Sequence, residues 1–230
     1  KNHPKVVKTV VLDKKYRVLY KTARNLGEFD YFFSFRSSLR TKFLKFLISA
    51  KNKYQFDKNK YQHRHQVEKY NDFINDSLNI NFPPGKLLLS TNSQPSTQKT
   101  VGINPGASYG SAKRWYPEEF AKVASELSDQ YDIVIFGGPD EQDIALDIEK
   151  LLIKKDVKNY KNLAGKTTIP ELINHISNLD LFITGDSGPM HVAAAFEVPT
   201  VAIFGPTKDD ETSQWMNEKS LIVKKNLDCQ

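Results

Sequence analysis

The sequence has few of the features that mark a secreted or membrane-spanning protein. It contains one cysteine, Cys229, among 230 residues, which excludes a framework of intrachain disulfides and favours a reducing compartment. No apolar run approaches the roughly 18–20 residues that a membrane helix needs, and the start at Lys1 lacks the pattern of a secretion signal. We therefore expect a cytoplasmic protein with one large domain or two modest ones.

Charge is divided unevenly along the chain. Residues 1–97 carry 19 lysines and arginines against 7 acidic residues, giving +12, whereas residues 98–230 carry 14 against 20, giving −6. A basic half favours a partner that carries phosphates or carboxylates, or an anionic membrane surface. The alternative is a lysine-rich surface that serves solubility alone.

A polar stretch lies close to this charge boundary. Ser90–Lys99, "STNSQPSTQK", contains a proline and lacks apolar periodicity, so it predicts a linker. We therefore expect one domain over residues 1–90, a linker over residues 91–99 and a second domain over residues 100–230.

The second half alternates between apolar strands and amphipathic helices. Its strands are continuous apolar runs, which is typical of a parallel sheet covered by helices on both faces. The predicted strands are Thr100–Gly106, Tyr131–Gly138, Leu179–Thr184 and Val198–Gly205. The predicted helices are Tyr116–Tyr131, Pro139–Lys155 and Thr168–Asp180.

The first half is also predicted to be α/β, with fewer strands. The expected strands are Val6–Leu12 and Phe29–Phe35. The expected helices are Lys14–Gly27, closed by its glycine, together with Ser37–Lys51 and His65–Ile80. Two strands are too few for a complete doubly wound domain, and we expect the missing strands to precede Lys1.

Three loops at the carboxyl ends of predicted strands carry residues that suit a ligand. In Asn104–Trp115, Gly106 allows a close backbone approach, Ser108 offers a hydroxyl, and Lys113 offers a mobile cation, so the loop could hold a diphosphate. The alternative is an ordinary strand-to-helix loop. Phe136–Glu141, "FGGPDE", makes a tight turn that departs from the dinucleotide-binding pattern of glycines.

The third loop begins "GDSGPMH" at Gly185 and leads into a helix near Pro189. Backbone N–H groups at that helix start would point into the cleft. Asp186 could accept hydrogen bonds from sugar hydroxyls, and we expect His191 to face the same cleft from the first turn. The alternative is a helix-capping Asp or Ser beside a packed histidine.

These motifs, in this order, resemble the carboxyl-terminal domain of the heptosyltransferases of lipopolysaccharide core synthesis, glycosyltransferase family 9. The resemblance spans roughly Val101–Thr207 and includes "KRWYPEEFAKVA", "FGGPDE" and "LAGKTTIPEL". The final "LDCQ" resembles the cysteine-containing tail of the enzymes that add the second heptose. The first half, with "EFDYFFSFRSSLRTKFL" and "HRHQVEKY", resembles the later part of the family's acceptor domain more loosely.

The resemblance implies a GT-B architecture, in which two Rossmann-like domains with parallel sheets face each other, the N-terminal one incomplete in this chain. It implies inverting, metal-independent transfer of L-glycero-D-manno-heptose from ADP-heptose, without a cofactor. The acceptor would be the anionic inner core of lipopolysaccharide or lipooligosaccharide. We then expect a cytoplasmic protein with the option of peripheral contact at the inner membrane, and no nucleic-acid partner. The resemblance leaves the oligomeric state open.

Donor-site residues follow from the resemblance position by position. Lys113 matches the lysine that neutralises the leaving-group diphosphate, and Ser108 matches a hydroxyl at the phosphates. Thr167 and Thr168 lie where the family lines its adenosine pocket. The donor-binding turn is matched by Asp186, Ser187, Gly188 and His191.

The family's catalytic base has no counterpart in the sequence. That base is an aspartate in a Gly-Asp motif at the first strand-to-helix turn of the first domain, whereas Gly27–Asp30 predicts a helix cap followed by a strand. We therefore expect the chain to cover an internal part of the enzyme or a remnant, and to bind nucleotide better than it transfers sugar.

Acceptor residues are expected in the basic half, from its charge and the looser resemblance. The candidates are Arg36, Arg40, Arg64, His65 and Lys69. His63 and His65 have no cysteine nearby, so we expect no metal site there, since three or four ligands must converge.

Other functions remain open at the level of sequence. A GT-B transferase or epimerase that uses a UDP-sugar would share the same loops. A non-catalytic module that binds a nucleotide or a glycolipid would explain the missing base. A nucleic-acid binder is less favoured, because "FDYFFSF" predicts a buried strand rather than a platform for stacking bases.

Overall fold

A computed structural model describes residues 5–13, 15–91, 97–106 and 114–225. The chain folds into two compact units, residues 1–85 (unit 1) and residues 86–230 (unit 2). None of the helices in these described ranges is long and apolar enough to cross a membrane.

Unit 1 is built on two parallel strands. Its helices are α1 (Tyr16–Arg24), α2 (Leu39–Leu47) and α3 (Gln66–Leu78), and its strands are β1 (Glu28–Ser34) and β2 (Ser49–Gln55). Glu28 lies opposite Ser49 and Ser34 lies opposite Gln55, so α2 is the crossover between the strands. The core of unit 1 is mainly aromatic: Phe33 stacks on Tyr54 at 5.2 Å between ring centroids, and Phe73 is buried beside them.

Two predictions for unit 1 are wrong. The expected strand Val6–Leu12 is irregular, with Val7 and Val11 almost wholly exposed, because no described strand pairs with it. The helix expected over Ser37–Lys51 ends at Leu47, and Ser49–Gln55 instead forms β2. Most residues of β2 are polar, so an apolar pattern does not explain its extended conformation. That conformation follows from its pairing with β1.

Unit 2 contains a six-stranded, wholly parallel sheet in the order β5-β4-β3-β6-β7-β8. The strands are β3 (Thr100–Asn104), β4 (Asp132–Ile135), β5 (Tyr160–Asn162), β6 (Leu181–Gly185), β7 (Thr200–Phe204) and β8 (Ser220–Lys224). The four central strands confirm the prediction. The two edge strands were not predicted, since they are short or half-exposed and lack continuous apolar runs.

Helices cover both faces of this sheet, as the apolar runs predicted. The described helices are α4 (Pro117–Leu127), α5 (Gln142–Lys154), α6 (Ile169–Ser177), α7 (Gly188–Ala195) and the short α8 (Asp209–Thr212). Phe120 of α4 and Ile148 of α5 pack with Val101 and Ile133 in one core. A second core contains Ile176 of α6, Phe182 of β6 and Ala193 of α7. The unit is a doubly wound α/β domain.

Candidate functional site

A cavity of about 360 Å³ opens at the carboxyl ends of the central strands of unit 2. The strand order reverses between β3 and β6: β4 and β5 lie to one side, and β7 and β8 lie to the other. Such a reversal is where open α/β sheets bind ligands. The described lining residues are Asn104, Gly137, Gly138, Pro139, Glu141, Gly165, Thr167, Ile169, Leu172, Asp186, Ser187, Gly188 and Pro189.

Glu141 contributes a buried carboxylate to the cavity, and it was not predicted. Its Oε2 accepts a 2.7 Å hydrogen bond from the backbone N–H of Gly138, and the residue is 8% exposed. Gly106 makes room for it, because a Cβ at that position would lie 2.1 Å from the Glu141 Cδ. The sequence signal that could have identified Glu141 is the Gly-Pro-Asp-Glu spacing. In this spacing the glutamate, three residues after the glycine, can accept a hydrogen bond from the glycine's N–H.

Asp186 contributes a second carboxylate, directly after β6. The Thr207 hydroxyl donates a 2.7 Å hydrogen bond to Oδ2 of Asp186, which is 9% exposed. Next to it, the Ser187 hydroxyl lies 3.1 Å from the donating Nδ2 of Asn104 and 3.2 Å from the Thr184 hydroxyl. Asn104 and Thr207 were not predicted, because their partners lie about 80 and 20 residues away along the chain.

Much of the remaining cavity wall is apolar or bare backbone. Ile169 and Leu172 of α6 line it, and Ile169 is 70% exposed although it borders the cavity. Gly165, with a φ of +70°, leaves no room for a side chain beside Gln142. The arrangement suits a ligand with a flat apolar part and several hydroxyls.

The structure brings together four of the predicted donor residues: Thr167, Asp186, Ser187 and Gly188 line the cavity. Thr168 and His191 are not among the described lining residues. His191 lies in the first turn of α7 and is half-buried. Ser108 and Lys113 lie outside the described residues.

Thr168 is the N-cap of α6. Its hydroxyl donates at 2.8 Å to the carboxylate of Glu171, and its backbone N–H donates to the same oxygen at 2.7 Å. These two hydrogen bonds hold the pKa of Glu171 below its usual value. Thr168 therefore has a structural role as a helix cap.

The predicted acceptor residues follow the carboxyl ends of the two strands of unit 1. Arg36 and Arg40 come after β1, and the other three come after β2. Phe35 and Tyr70 join the two segments, with their ring centroids 5.1 Å apart.

Three of these acceptor candidates are engaged within unit 1. Arg64 forms ion pairs with Glu68 and Asp72. His65 caps α3 through Nδ1, which accepts from the Val67 N–H at 3.2 Å. His65 and Lys69 are 8% and 7% exposed, which leaves them little surface for a ligand.

No group of three or more His, Cys, Asp or Glu side chains is placed to hold a metal ion in the part of the chain that the structure describes. That part includes the described residues of the cavity and the His63–His65 segment.

Comparisons with known proteins identify the family. Residues 34–230 match the model of "Glycosyltransferase family 9 (heptosyltransferase)". The chain is 45% identical over 223 residues to lipooligosaccharide heptosyltransferase 2 of Campylobacter jejuni subsp. jejuni serotype O:2, covering 94% of this chain and 70% of that protein.

Solved structures agree on the fold. The glycosyl transferase family 9 protein from Veillonella parvula superposes with a TM-score of 0.80 at 23% identity, over 94% of this chain and 70% of that one. The E. coli ADP-heptose lps heptosyltransferase II superposes with a TM-score of 0.73 at 23% identity, over 90% and 71%. The α/β architecture is that of a partial GT-B fold, and the chain belongs to glycosyltransferase family 9, the heptosyltransferases of lipopolysaccharide biosynthesis.

Proposed function

We propose that the cavity of unit 2 binds ADP-heptose and that the protein transfers its heptose to the inner core of lipopolysaccharide or lipooligosaccharide. The observation that carries this proposal is the cavity itself, where Thr167, Asp186, Ser187 and Gly188 meet at the reversal of strand order. The 45% identity to a lipooligosaccharide heptosyltransferase 2 supports addition of the second heptose.

The chemistry of the cavity walls fits such a donor. The apolar side chains of Ile169 and Leu172 offer a surface for the base, and the Glu141 carboxylate could accept from ribose hydroxyls. Asp186 and the start of α7 also line the cavity. There the carboxylate would accept from the hydroxyls of the transferred sugar, and the helix N-terminus would favour the phosphates.

The proposed reaction is a single displacement with inversion. An acceptor hydroxyl attacks the anomeric carbon of heptose, the bond from that carbon to the β-phosphate oxygen breaks, and ADP leaves with the bonding electrons. Negative charge grows on the β-phosphate, so Lys113 and the first N–H groups of α7 would stabilise the transition state. The base that takes the acceptor proton has no match in this sequence.

We also propose that no metal ion takes part. Glu141 and Asp186 are the two carboxylates among the described lining residues, and each already accepts a hydrogen bond, from Gly138 and Thr207 respectively. Neutralisation of the diphosphate is assigned to Lys113. Activity and nucleotide binding should therefore survive EDTA.

The acceptor is proposed to be anionic and to meet unit 1. Arg36, exposed after β1, and Arg40, in the first turn of α2, are the leading contacts, because Arg64, His65 and Lys69 are paired or buried. Arginine pairs well with phosphate and carboxylate groups. Such an acceptor would place the protein at the inner face of the membrane.

Nucleotide-dependent thermal stabilisation tests the donor proposal. ADP at about 100 times its dissociation constant should add about 2.7 kcal/mol to the free energy of unfolding, whereas UDP and GDP should add far less. Lys113→Ala should reduce the effect of ADP, and Lys122→Ala, on an exposed position of α4, is the matched control. Stabilisation by UDP instead would support a UDP-sugar enzyme. No stabilisation by any nucleotide would refute a working donor site in this chain.

A further inference from the structure

The carboxylate of Asp186 is fixed by a hydroxyl from the neighbouring strand's loop. Thr207 lies three residues beyond the end of β7, and its Oγ1 donates to Oδ2 of Asp186 at 2.7 Å. A hydrogen bond to an ionised carboxylate is stronger than a neutral one and fixes the orientation of the carboxylate plane. Thr207 itself is not among the described residues that line the cavity.

The neighbouring side chain, Ser187, is held by a contact from the other side of β6. Ser187 occupies the N-cap of α7, yet its hydroxyl makes no capping bond to that helix. It lies 3.1 Å from Nδ2 of Asn104, the last residue of β3, and 3.2 Å from the Thr184 hydroxyl. A serine at an N-cap usually accepts from a backbone N–H in the first turn. Here the buried amide of Asn104 directs the hydroxyl elsewhere.

These contacts arrive from both sides of one strand. β6 ends at Gly185 and lies between β3 and β7 in the sheet. We define Gly185–Gly188 as the donor turn. Asn104 reaches it from β3 and Thr207 reaches it from the loop after β7, so the two polar side chains of the turn are oriented by groups that are distant in sequence. Orientation before binding reduces the ordering cost of binding.

We propose that Thr207 is a positioning residue of the donor site, acting through Asp186, and that Asn104 serves Ser187 in the same way. The inference rests on the proposed function, in which the Asp186 carboxylate accepts from hydroxyls of the transferred sugar. Without the Thr207 hydroxyl the Asp186 carboxylate loses its fixed orientation. The affinity for ligands that carry the sugar should then fall. ADP, which has no sugar on its β-phosphate, depends on Thr207 much less.

Calorimetric titration of ADP and of ADP-heptose into four forms of the chain tests this inference. Thr207→Val should weaken ADP-heptose binding roughly ten-fold, the scale of one hydrogen bond to a charged group, and ADP binding by no more than about two-fold. Thr207→Ser, which keeps the hydroxyl, should restore the affinity for ADP-heptose. Thr212→Val is the matched control, because its hydroxyl donates to the carbonyl of Lys208, the N-cap of its own short helix.

The outcomes separate this inference from the proposed function. If the unaltered chain binds neither ligand, the proposed function fails and the inference fails with it. If the unaltered chain binds both and Thr207→Val binds ADP-heptose equally well, only the inference fails. Equal weakening for ADP and ADP-heptose, or no rescue by serine, would also overturn it in favour of a general structural role. Thr207→Ala provides the same comparison if the valine variant melts below the assay temperature.

Discussion

The two units of this protein follow the same parallel βαβ plan and differ in how much of it is buried. In unit 2, six strands carry helices on both faces, and Phe182 and Ile135 are wholly buried between them. In unit 1, the described residues form two strands and three helices. Helix α2 has no buried residue, and its Leu39 and Phe46 are 79% and 80% exposed. A shared local pattern therefore buries more of its residues where the sheet is wide enough to be covered on both faces.

The largest effect should come from removing a central aromatic residue of unit 2. Phe182→Ala should lower the free energy of unfolding by about 3–5 kcal/mol, because it leaves a cavity between β6 and the helices over it. Phe46→Ala, on the exposed side of α2, should change it by less than about 0.5 kcal/mol. Urea unfolding of both variants measures the difference. Equal losses would show that Phe46 is buried in solution and would remove the contrast between the units.

A smaller effect should follow from adding one methyl group beside the cavity. In Gly106→Ala the new Cβ would meet the Glu141 carboxylate, which is held by the Gly138 N–H, so the carboxylate must move. We expect a loss of about 1–3 kcal/mol in unfolding free energy and weaker ADP binding. Gly85→Ala is the control, since nothing lies within 4 Å of its Cβ. Unchanged stability and ADP binding in Gly106→Ala would contradict this arrangement.

The smallest effect should distinguish two adjacent threonines. Thr168→Val removes the N-cap of α6 and should cost about 1 kcal/mol of stability, whereas Thr167→Val should mainly alter nucleotide binding, because Thr167 lines the cavity. Thermal unfolding and calorimetry of both variants make the comparison. A Thr168→Val protein of normal stability but weak nucleotide binding would reverse the assignment.

The stability that the Thr168 cap contributes should also depend on pH. Its hydrogen bonds lower the pKa of Glu171, so the contribution of Glu171 to stability is present above the unfolded pKa, about 4.5, and is lost as the pH falls through the folded value. The gap in melting temperature between the unaltered chain and Thr168→Val should therefore narrow below about pH 4. A gap that widens on acidification would contradict this account of the cap.

The sequence predicts the buried parts of the fold better than its edges. Continuous apolar runs identify β3, β4, β6 and β7, because both faces of those strands are covered. The strand β2, "SAKNKYQ", has no such run, and its pairing with β1 decides its form. Val6–Leu12 shows the converse, since strand-favouring residues remain irregular where no described strand pairs with them.

The candidate site follows the same rule. The turn at Asp186 and Ser187 is visible in the sequence, because small polar residues between two apolar runs have few structural explanations. Asn104 and Thr207 are found only in three dimensions, since each acts through a partner on another strand or loop. Glu141 has a local signal, because it accepts from the N–H of Gly138 in the same turn. A backbone cap such as Thr168 resembles a site residue until its hydrogen bonds are known.

Hydrogen exchange measured by mass spectrometry, with and without ADP, tests most directly the claim that the donor site lies in unit 2. The account predicts ADP-dependent protection in peptides that contain residues 104–106, 137–141, 165–172 and 185–189, the described segments around the cavity. It predicts no change in peptides from residues 16–78, which hold the helices and strands of unit 1. Protection confined to unit 1, or none at saturating ADP, would contradict the assignment of the cavity as the donor site.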